Sequence, residues 1–334
     1  MKPVLLVTGH APGDRVAPFA ALHERESIEV ALFGGRDRHG AAGRAALPVP
    51  HRTVGQRGVY GLAAGGRYRA VIAGLGGRVA PLAAALGARR AGIPFVLWTG
   101  LWAHPRSAAH LLSYTPTLWL YRSAGAVVTY GPHVSEYVRR RGARNVHVAP
   151  QAVDAAFWGA TVPGRRERAF QVLFVGRPDP EKGRAVLLDA WPDAVCVGDP
   201  PVPPEEVRNF LAGSHVLVVA SLRTRTFREP WGLVVNEAMH QRVAVIATDQ
   251  VGAAAGGLLR HERTGLVVPA GDAGALRAAI ERLRDDPGLR ERLAAAGAAA
   301  VAAHTPQAWA GGMSAALASV GAGAPTPRTE PLAS

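Results

Sequence analysis

The sequence predicts an α/β protein made of two doubly wound halves, each a parallel sheet with helices on both faces. Three observations carry this. Short apolar runs alternate with Ala-rich amphipathic stretches along nearly the whole chain, the pattern of strands buried on both faces and joined by crossover helices. The alternation stops between residues 151 and 169 and then starts afresh. A chain of 334 residues also exceeds what one ordinary core organises, so two domains are the natural division.

The first series begins with a strand at Val4–Thr8, a loop containing Gly13, a helix near Val16–Glu26 and a strand at Ile28–Phe33. Strands at Ala70–Ala73, Pro94–Trp98, Ala126–Thr129 and Val146–Val148 continue it, with helices near Arg78–Arg90 and His133–Arg141. Gln151–Trp158 reads as a loop and Pro163–Arg168 as a charged link. The second series places strands at Gln171–Val175, Ala194–Val197, His215–Ala220, Val243–Ala247 and Gly265–Val268. Helices at Ala275–Asp285 and Leu289–His304 stand on either side of Pro287. A last helix, Thr305–Leu317, has Thr305 placed as its N-cap and Pro306 in its first turn. The Pro/Gly/Thr-rich end, 321–334, reads as disordered. The expected division is a first domain over 1–165, a second over 166–304 and a terminal helix over 305–320. Two such halves leave a cleft between their sheet ends, where ligands of these folds bind.

Composition limits the function classes. Hydrophobic residues are 48% and charged residues 19% of the chain, as in globular proteins. The single cysteine, Cys196, cannot form an internal disulfide, and its setting in AVCVG reads as a buried strand. The start, MKPVLLVTGHAPGD, holds too short an apolar run for a signal peptide. No stretch reaches the roughly 18 apolar residues of a spanning helix. The expectation is a cytoplasmic protein, with peripheral contact at the inner membrane face left open. The net charge of +13 invites anionic partners: phosphorylated substrates, an anionic membrane or nucleic acid. Nucleic acid has no further support, because zinc spacings, RNP-like aromatics and leucine heptads are all missing. Small arginine clusters stand at Arg139–Arg141 and Arg165–Arg168.

The chemistry concentrates in Phe227–Asp249, FREPWGLVVNEAMHQRVAVIATD. Glu229 and Glu237 lie eight positions apart, separated by a Pro-Trp-Gly turn and the start of a helix. Pro230 fixes φ and Gly232 lets the backbone come close to a ligand. The helix start aims unpaired N–H groups outward, which suits phosphate. Upstream, Gly176 and Arg177 end an apolar strand, Pro178-Asp179-Pro180 makes a turn, and Glu181-Lys182-Gly183 opens a helix. Arg177 and Lys182 therefore stand together at a sheet edge. They suit a diphosphate whose charge must be neutralised as its ester breaks, or equally an ion pair with Asp179, Glu181 or Asp189.

In order, strand–GR–turn–EKG, EPWGLVVNEAM, VIATD and HERTGLVVPAGD resemble the donor-binding half of glycosyltransferase family 4, retaining enzymes of the GT-B architecture. The resemblance covers residues 170–320 strongly. It covers 1–169 weakly, through the strand–helix rhythm and VAPQAVDAAFW. It implies a GT-B fold of two Rossmann-like domains facing a cleft, with the C-terminal helix crossing back to the first. It implies transfer of a sugar from a nucleotide diphosphate sugar, as co-substrate, to a hydroxyl acceptor. That acceptor would be a cell-envelope glycan, a glycolipid or a small natural product; a lipid-linked acceptor is one alternative.

Residue by residue, the resemblance implies that Arg177 and Lys182 hold the donor diphosphate and Glu229 accepts from sugar hydroxyls. Glu237 would accept from the ribose diol, since carboxylates are acceptors only. The N–H groups of Trp231, Gly232 and Leu233 would face the sugar or phosphate, with Gly13 and Gly176 close to the donor. Neither a metal nor another cofactor is implied, and the chain has no Asp-x-Asp pair.

Two departures stand out. Where the family usually places a histidine after its IPxVxTxH strand, this chain has Gly100, and His104 follows four residues later; His104 is the candidate replacement. The segment from Lys182 to Val202 is short, with Val197-Gly198-Asp199-Pro200 as a clipped turn. Both features also fit a relative that binds nucleotide sugar without transferring it. Trp98, Trp102, Trp119 and Tyr121, with Arg106 and Arg122, form an aromatic-basic region that is core, acceptor pocket or membrane rest.

Overall fold

The structure is a computed structural model that describes residues 1–34, 46–162 and 169–324. The cluster Arg165–Arg168, the proposed 165/166 boundary and most of the 321–334 tail lie wholly or partly outside the described residues.

Two parallel sheets form the molecule. The first contains β1 (Val4–Thr8), β2 (Ile28–Leu32), β3 (His51–Thr53), β4 (Ala70–Gly74), β5 (Phe95–Thr99), β6 (Ala126–Thr129) and β7 (Val146–Val148). Its strand order is β3-β2-β1-β4-β5-β6-β7. The second contains β8 (Val172–Val175), β9 (Val195–Val197), β10 (Val216–Val219), β11 (Ala244–Thr248) and β12 (Leu266–Val268), in the order β12-β11-β10-β8-β9. The chain reverses direction across the sheet between β1 and β4, and again between β8 and β10. These switch points leave crevices at the strand ends, where such folds take ligands.

The strands form where they do because their apolar runs bury both faces. Val4, Leu5, Leu6 and Val7 are all fully buried, and Leu5 and Leu6 belong to different clusters on opposite sides of the first sheet. The helices have definite ends. Val16–Glu26 stops at Ser27 in the left-handed region and Ala80–Ala91 at Gly92. Asp272, Asp286 and Thr305 accept hydrogen bonds from Ala275, Leu289 and Ala308 at the starts of the last three helices.

The last helix, Pro306–Ser319, packs back on the first sheet as expected. Trp309 is fully buried, 5.5 Å from the Trp98 ring and 5.8 Å from the Phe19 ring. At Gly312 a Cβ would stand 2.3 Å from the Val148 carbonyl oxygen, so only glycine permits this approach.

The structure differs from the sequence expectations at four places. β3 is an exposed edge strand, His-Arg-Thr, with no apolar signal. Ala108–Ser123 forms a helix despite Pro116, started by Ser107 as N-cap. The expected loop Gln151–Trp158 contains the start of a short helix, Ala155–Gly159, capped by Asp154. Cys196 is only half-buried, since β9 lies at the sheet edge.

Candidate active site

β8 hands the chain to Gly176, whose N–H donates to the Val197 carbonyl at 2.9 Å. A 3-10 turn, Pro180–Lys182, then brings Lys182 inward and ends on Gly183 at φ +72. A Cβ at Gly183 would lie 2.0 Å from the Ala220 carbonyl oxygen. Glycine is therefore demanded by both space and backbone conformation, and it lets the Lys182 loop lie directly on the end of β10.

Lys182 and Glu229 meet there, with Lys182 Nζ 2.6 Å from Glu229 Oε2. Ser221, just past β10, donates its hydroxyl to the same oxygen at 2.9 Å. The ammonium also lies 5.3 Å from the centre of the Phe227 ring. Glu229 is buried, and a buried carboxylate must be paired to remain ionised. This network supplies the partners.

The pair lines a cavity of about 390 Å³ that both halves build. From the second half come Ser221, Gly232 and Leu233; from the first come Asp14, Arg15 and Tyr130. The N–H groups of Gly232 and Leu233 have no partner among the described residues. Arg15 donates to Gln151 Oε1 at 2.7 Å and lies 5.1 Å from the Trp98 ring centre. Burial, with the charge of Asp14, raises the Tyr130 phenol above its ordinary value, while Arg15 opposes the rise. Gly13 opens the 3-10 turn that carries Asp14 and Arg15 to the cleft.

Trp231 contributes backbone to the cavity, but its side chain is structural. Its indole N–H donates to Asn236 Oδ1 at 2.8 Å, and Asn236 donates to the Gln151 carbonyl at 2.9 Å. The same carbonyl lies 3.1 Å from His304 Nδ1. On the other side, His133 sits between Trp102 and Trp231, with ring centres 4.8 and 6.1 Å away. Burial lowers its pKa to about 4.

The side-chain carboxyl of Glu237, on the helix Val234–His240, makes no hydrogen bond or ion pair with a described residue. Its surface is only half-buried, yet it is hemmed in by protein. That burial, with the negative charge of Asp14, pushes its carboxyl up to about 8.

Of the expected site residues, Gly13, Gly176 and Glu237 do not line the cavity, and Arg177 and His104 are held elsewhere. Arg177 closes an ion pair with Asp179 at 2.5 Å, the local pairing that its neighbours in sequence allow, and does not line the cavity. His104 turns away: its Nε2 lies 2.7 Å from the His110 carbonyl oxygen, and its ring packs on Tyr114 at 4.9 Å. The reason for Gly100 is visible. A Cβ there would stand 2.3 Å from the Tyr130 ring, so Tyr130 fills the space that a side chain at 100 would take.

Ser221, Arg15 and Tyr130 were not singled out by the motifs. Tyr130 and Ser221 stand just past β6 and β10, and that position was the available signal; Arg15 ends the turn before the helix Val16–Glu26.

Two facing parallel sheets with a polar cleft at their switch points define the GT-B class. The family described as glycosyl transferases group 1 matches residues 200–300, so the family-4 resemblance of the second half is borne out there. The chain is 35% identical over 156 residues to the phosphatidyl-myo-inositol mannosyltransferase of Mycobacterium leprae, covering 39% of this chain and 41% of that protein. It is 33% identical over 148 residues to the D-inositol 3-phosphate glycosyltransferase of Acidothermus cellulolyticus, covering 42% and 30%. The matched region thus spans less than half the length of either relative. Among solved structures, HepE of Anabaena in complex with UDP-glucose superposes with a TM-score of 0.75 at 18% identity, covering 96% of this chain and all of that one.

Proposed function

We propose that this protein transfers a glycosyl group from a nucleotide diphosphate sugar to an acceptor hydroxyl, with retention at the anomeric carbon. The observation that carries the reading is the Lys182–Glu229–Ser221 network at the second switch point, facing Arg15 and Tyr130 across the cavity. The relatives named as glycosyltransferases and the UDP-glucose bound by HepE support the same class.

An ammonium has three protons. Lys182 can therefore keep its contact with Glu229 while donating to a diphosphate oxygen. Glu229 retains lone pairs to accept from hydroxyls of the sugar, and the free N–H groups of Gly232 and Leu233 face the same ligand. In the transfer, the bond from the anomeric carbon to the leaving phosphate oxygen breaks. A bond from that carbon to the acceptor oxygen forms on the same face, and the acceptor proton passes to the leaving phosphate. Lys182 stabilises the charge that collects there. Arg177 joins it by leaving Asp179 for the donor. Two side-chain cations supply the charge, so turnover persists in a metal chelator.

The test is a thermal-shift panel of UDP-, GDP-, ADP- and dTDP-sugars followed by donor turnover. A bound donor raises apparent stability by mass action. One nucleotide class is expected to raise it and to be consumed. A shift without turnover in the presence of any acceptor would reduce the protein to a binding relative, and the absence of any shift would sink the reading.

A further inference from the structure

We propose that a second, arginine-lined cavity beside the donor cleft seats an acceptor that carries a phosphate group. This deepens the glycosyl-transfer reading and rests on it. The cavity measures about 1020 Å³, at the upper end of small-molecule sites. Six arginines line it, Arg106, Arg140 and Arg141 from the first half and Arg223, Arg225 and Arg228 from the second, against one carboxylate, Glu136.

That carboxylate is taken by Arg140. Arg141 lies over the Tyr137 ring at 3.5 Å and donates to the Tyr137 carbonyl. The side chains of Arg106, Arg223 and Arg225 make no hydrogen bond or ion pair with any described residue. Burial and the neighbouring Arg223 together lower the pKa of Arg228, against the opposing pull of Asp249.

The shape of the charge selects the ligand. A carboxylate has two oxygens in one plane, and a single guanidinium fork satisfies it. A phosphate monoester has three terminal oxygens in a tetrahedron and accepts from several sides at once. Guanidinium groups reach this cavity from both halves, whose walls are joined where Arg106 N–H donates to the Arg225 carbonyl at 2.6 Å.

The cavity also touches the donor site. Trp102 lines it, and the Trp102 indole N–H donates to the Glu229 carbonyl at 2.9 Å. Arg228 lies on the Trp102 ring at 3.3 Å. An anion held here therefore lies beside the residue proposed to hold the transferred sugar. Two sources of phosphate fit: a soluble phosphorylated sugar or polyol, and a phospholipid headgroup. The lipid source has its own support at the rim, where Leu111 is 74% exposed and the adjacent Leu112 83%.

The experiment uses full-length protein saturated with the nucleoside diphosphate of whichever donor class raises its stability in the panel above. Titration calorimetry compares glucose 6-phosphate with glucose, and flotation compares phosphatidylcholine vesicles with and without phosphatidic acid. One probe with a phosphate monoester is expected to bind and its counterpart without that group not. Replacing both Arg223 and Arg225 by Gln should weaken that binding by about a hundredfold, roughly tenfold for each charged hydrogen-bond donor removed. The thermal shift given by that nucleotide should stay unchanged, which also shows that the variant folds. Lysine at both positions should recover part of the affinity, since it restores charge without the fork.

Selective binding of the sugar phosphate assigns the soluble source, and selective flotation the lipid. Failure of both phosphate probes, with the nucleotide shift intact, overturns this proposal and leaves the donor-site reading standing. Equal binding by wild type and the double-Gln variant overturns it too, as does tighter binding of a single-stranded oligonucleotide than of either probe. If none of the four nucleotide classes gives a shift on wild-type protein, the donor-site reading fails instead.

Discussion

The two cavities along the seam carry opposite electrostatic strategies. In the donor cleft the key cation is already matched, because Lys182 is paired with Glu229 and Glu229 is bonded to Ser221. In the arginine cavity the side chains of Arg106, Arg223 and Arg225 make no ion pair with a described residue. A matched pair costs little to hold in a buried place but must share its contacts when a ligand arrives. An unmatched cluster repels itself and is stabilised by whatever anion enters. One region is built to rearrange, the other to attract.

The largest test of this contrast is removal of the matched cation. Replacing Lys182 by Ala should lower donor turnover by about a hundredfold or more, the scale for losing one preorganised transition-state contact. It should also lower Tm, because Glu229 is left buried without its partner. Wild-type-like rates would break the comparison at its first term. Arg177→Ala should cost clearly less in a turnover assay, since that side chain starts on Asp179.

The seam between the two regions gives the next effect. Replacing Gly100 by His drives a side chain into the Tyr130 ring, and such overpacking costs about 1–3 kcal/mol. Adding Tyr130→Ala should recover part of that loss in urea unfolding. An additive double variant would show that Tyr130 does not hold that space.

The smallest effects are in pH. The carboxyl of Glu237 is raised from its ordinary 4.5 to about 8, so the folded state binds the proton more tightly than the unfolded one. Its effect on stability is therefore fully favourable below 4.5 and declines as pH rises through that window toward 8. Glu237→Gln should flatten this alkaline decline in thermal scans. His133 acts on the acid side. Its pKa is lowered from 6.5 to about 4, so stability falls as pH drops below 6.5 and levels off below about 4. His133→Gln should remove that acid slope. Unchanged scans in both variants would leave the seam without titrating groups.

Much of the fold was legible because buried parallel strands are nearly continuous apolar runs. β1, β6 and β7 begin and end where those runs do. β3 was hidden because its three residues are all exposed and polar. The helix Ala108–Ser123 was hidden by Pro116 and by two adjacent leucines that face out. In the site, Lys182 and Glu229 were legible because each sits in a motif with a turn fixed by proline and glycine. Tyr130 and Arg15 were not, since they meet only when β6 and the loop after β1 are brought to one edge. Arg177 and His104 show the converse: sequence placed them near the cleft, and a close neighbour, Asp179 or His110, took the side chain.

The carbonyl of Gln151 accepts from Asn236 and meets His304, and those contacts bind together the two places where the chain passes between the sheets. One passage follows β7; the other precedes the helix Pro306–Ser319. A single tether would let the halves swivel freely. Two tethers fastened at one point resist torsion and leave bending as the soft direction. The Gln151 peptide is thus where the two crossings are fastened to each other, beside the cavity that Gln151 lines.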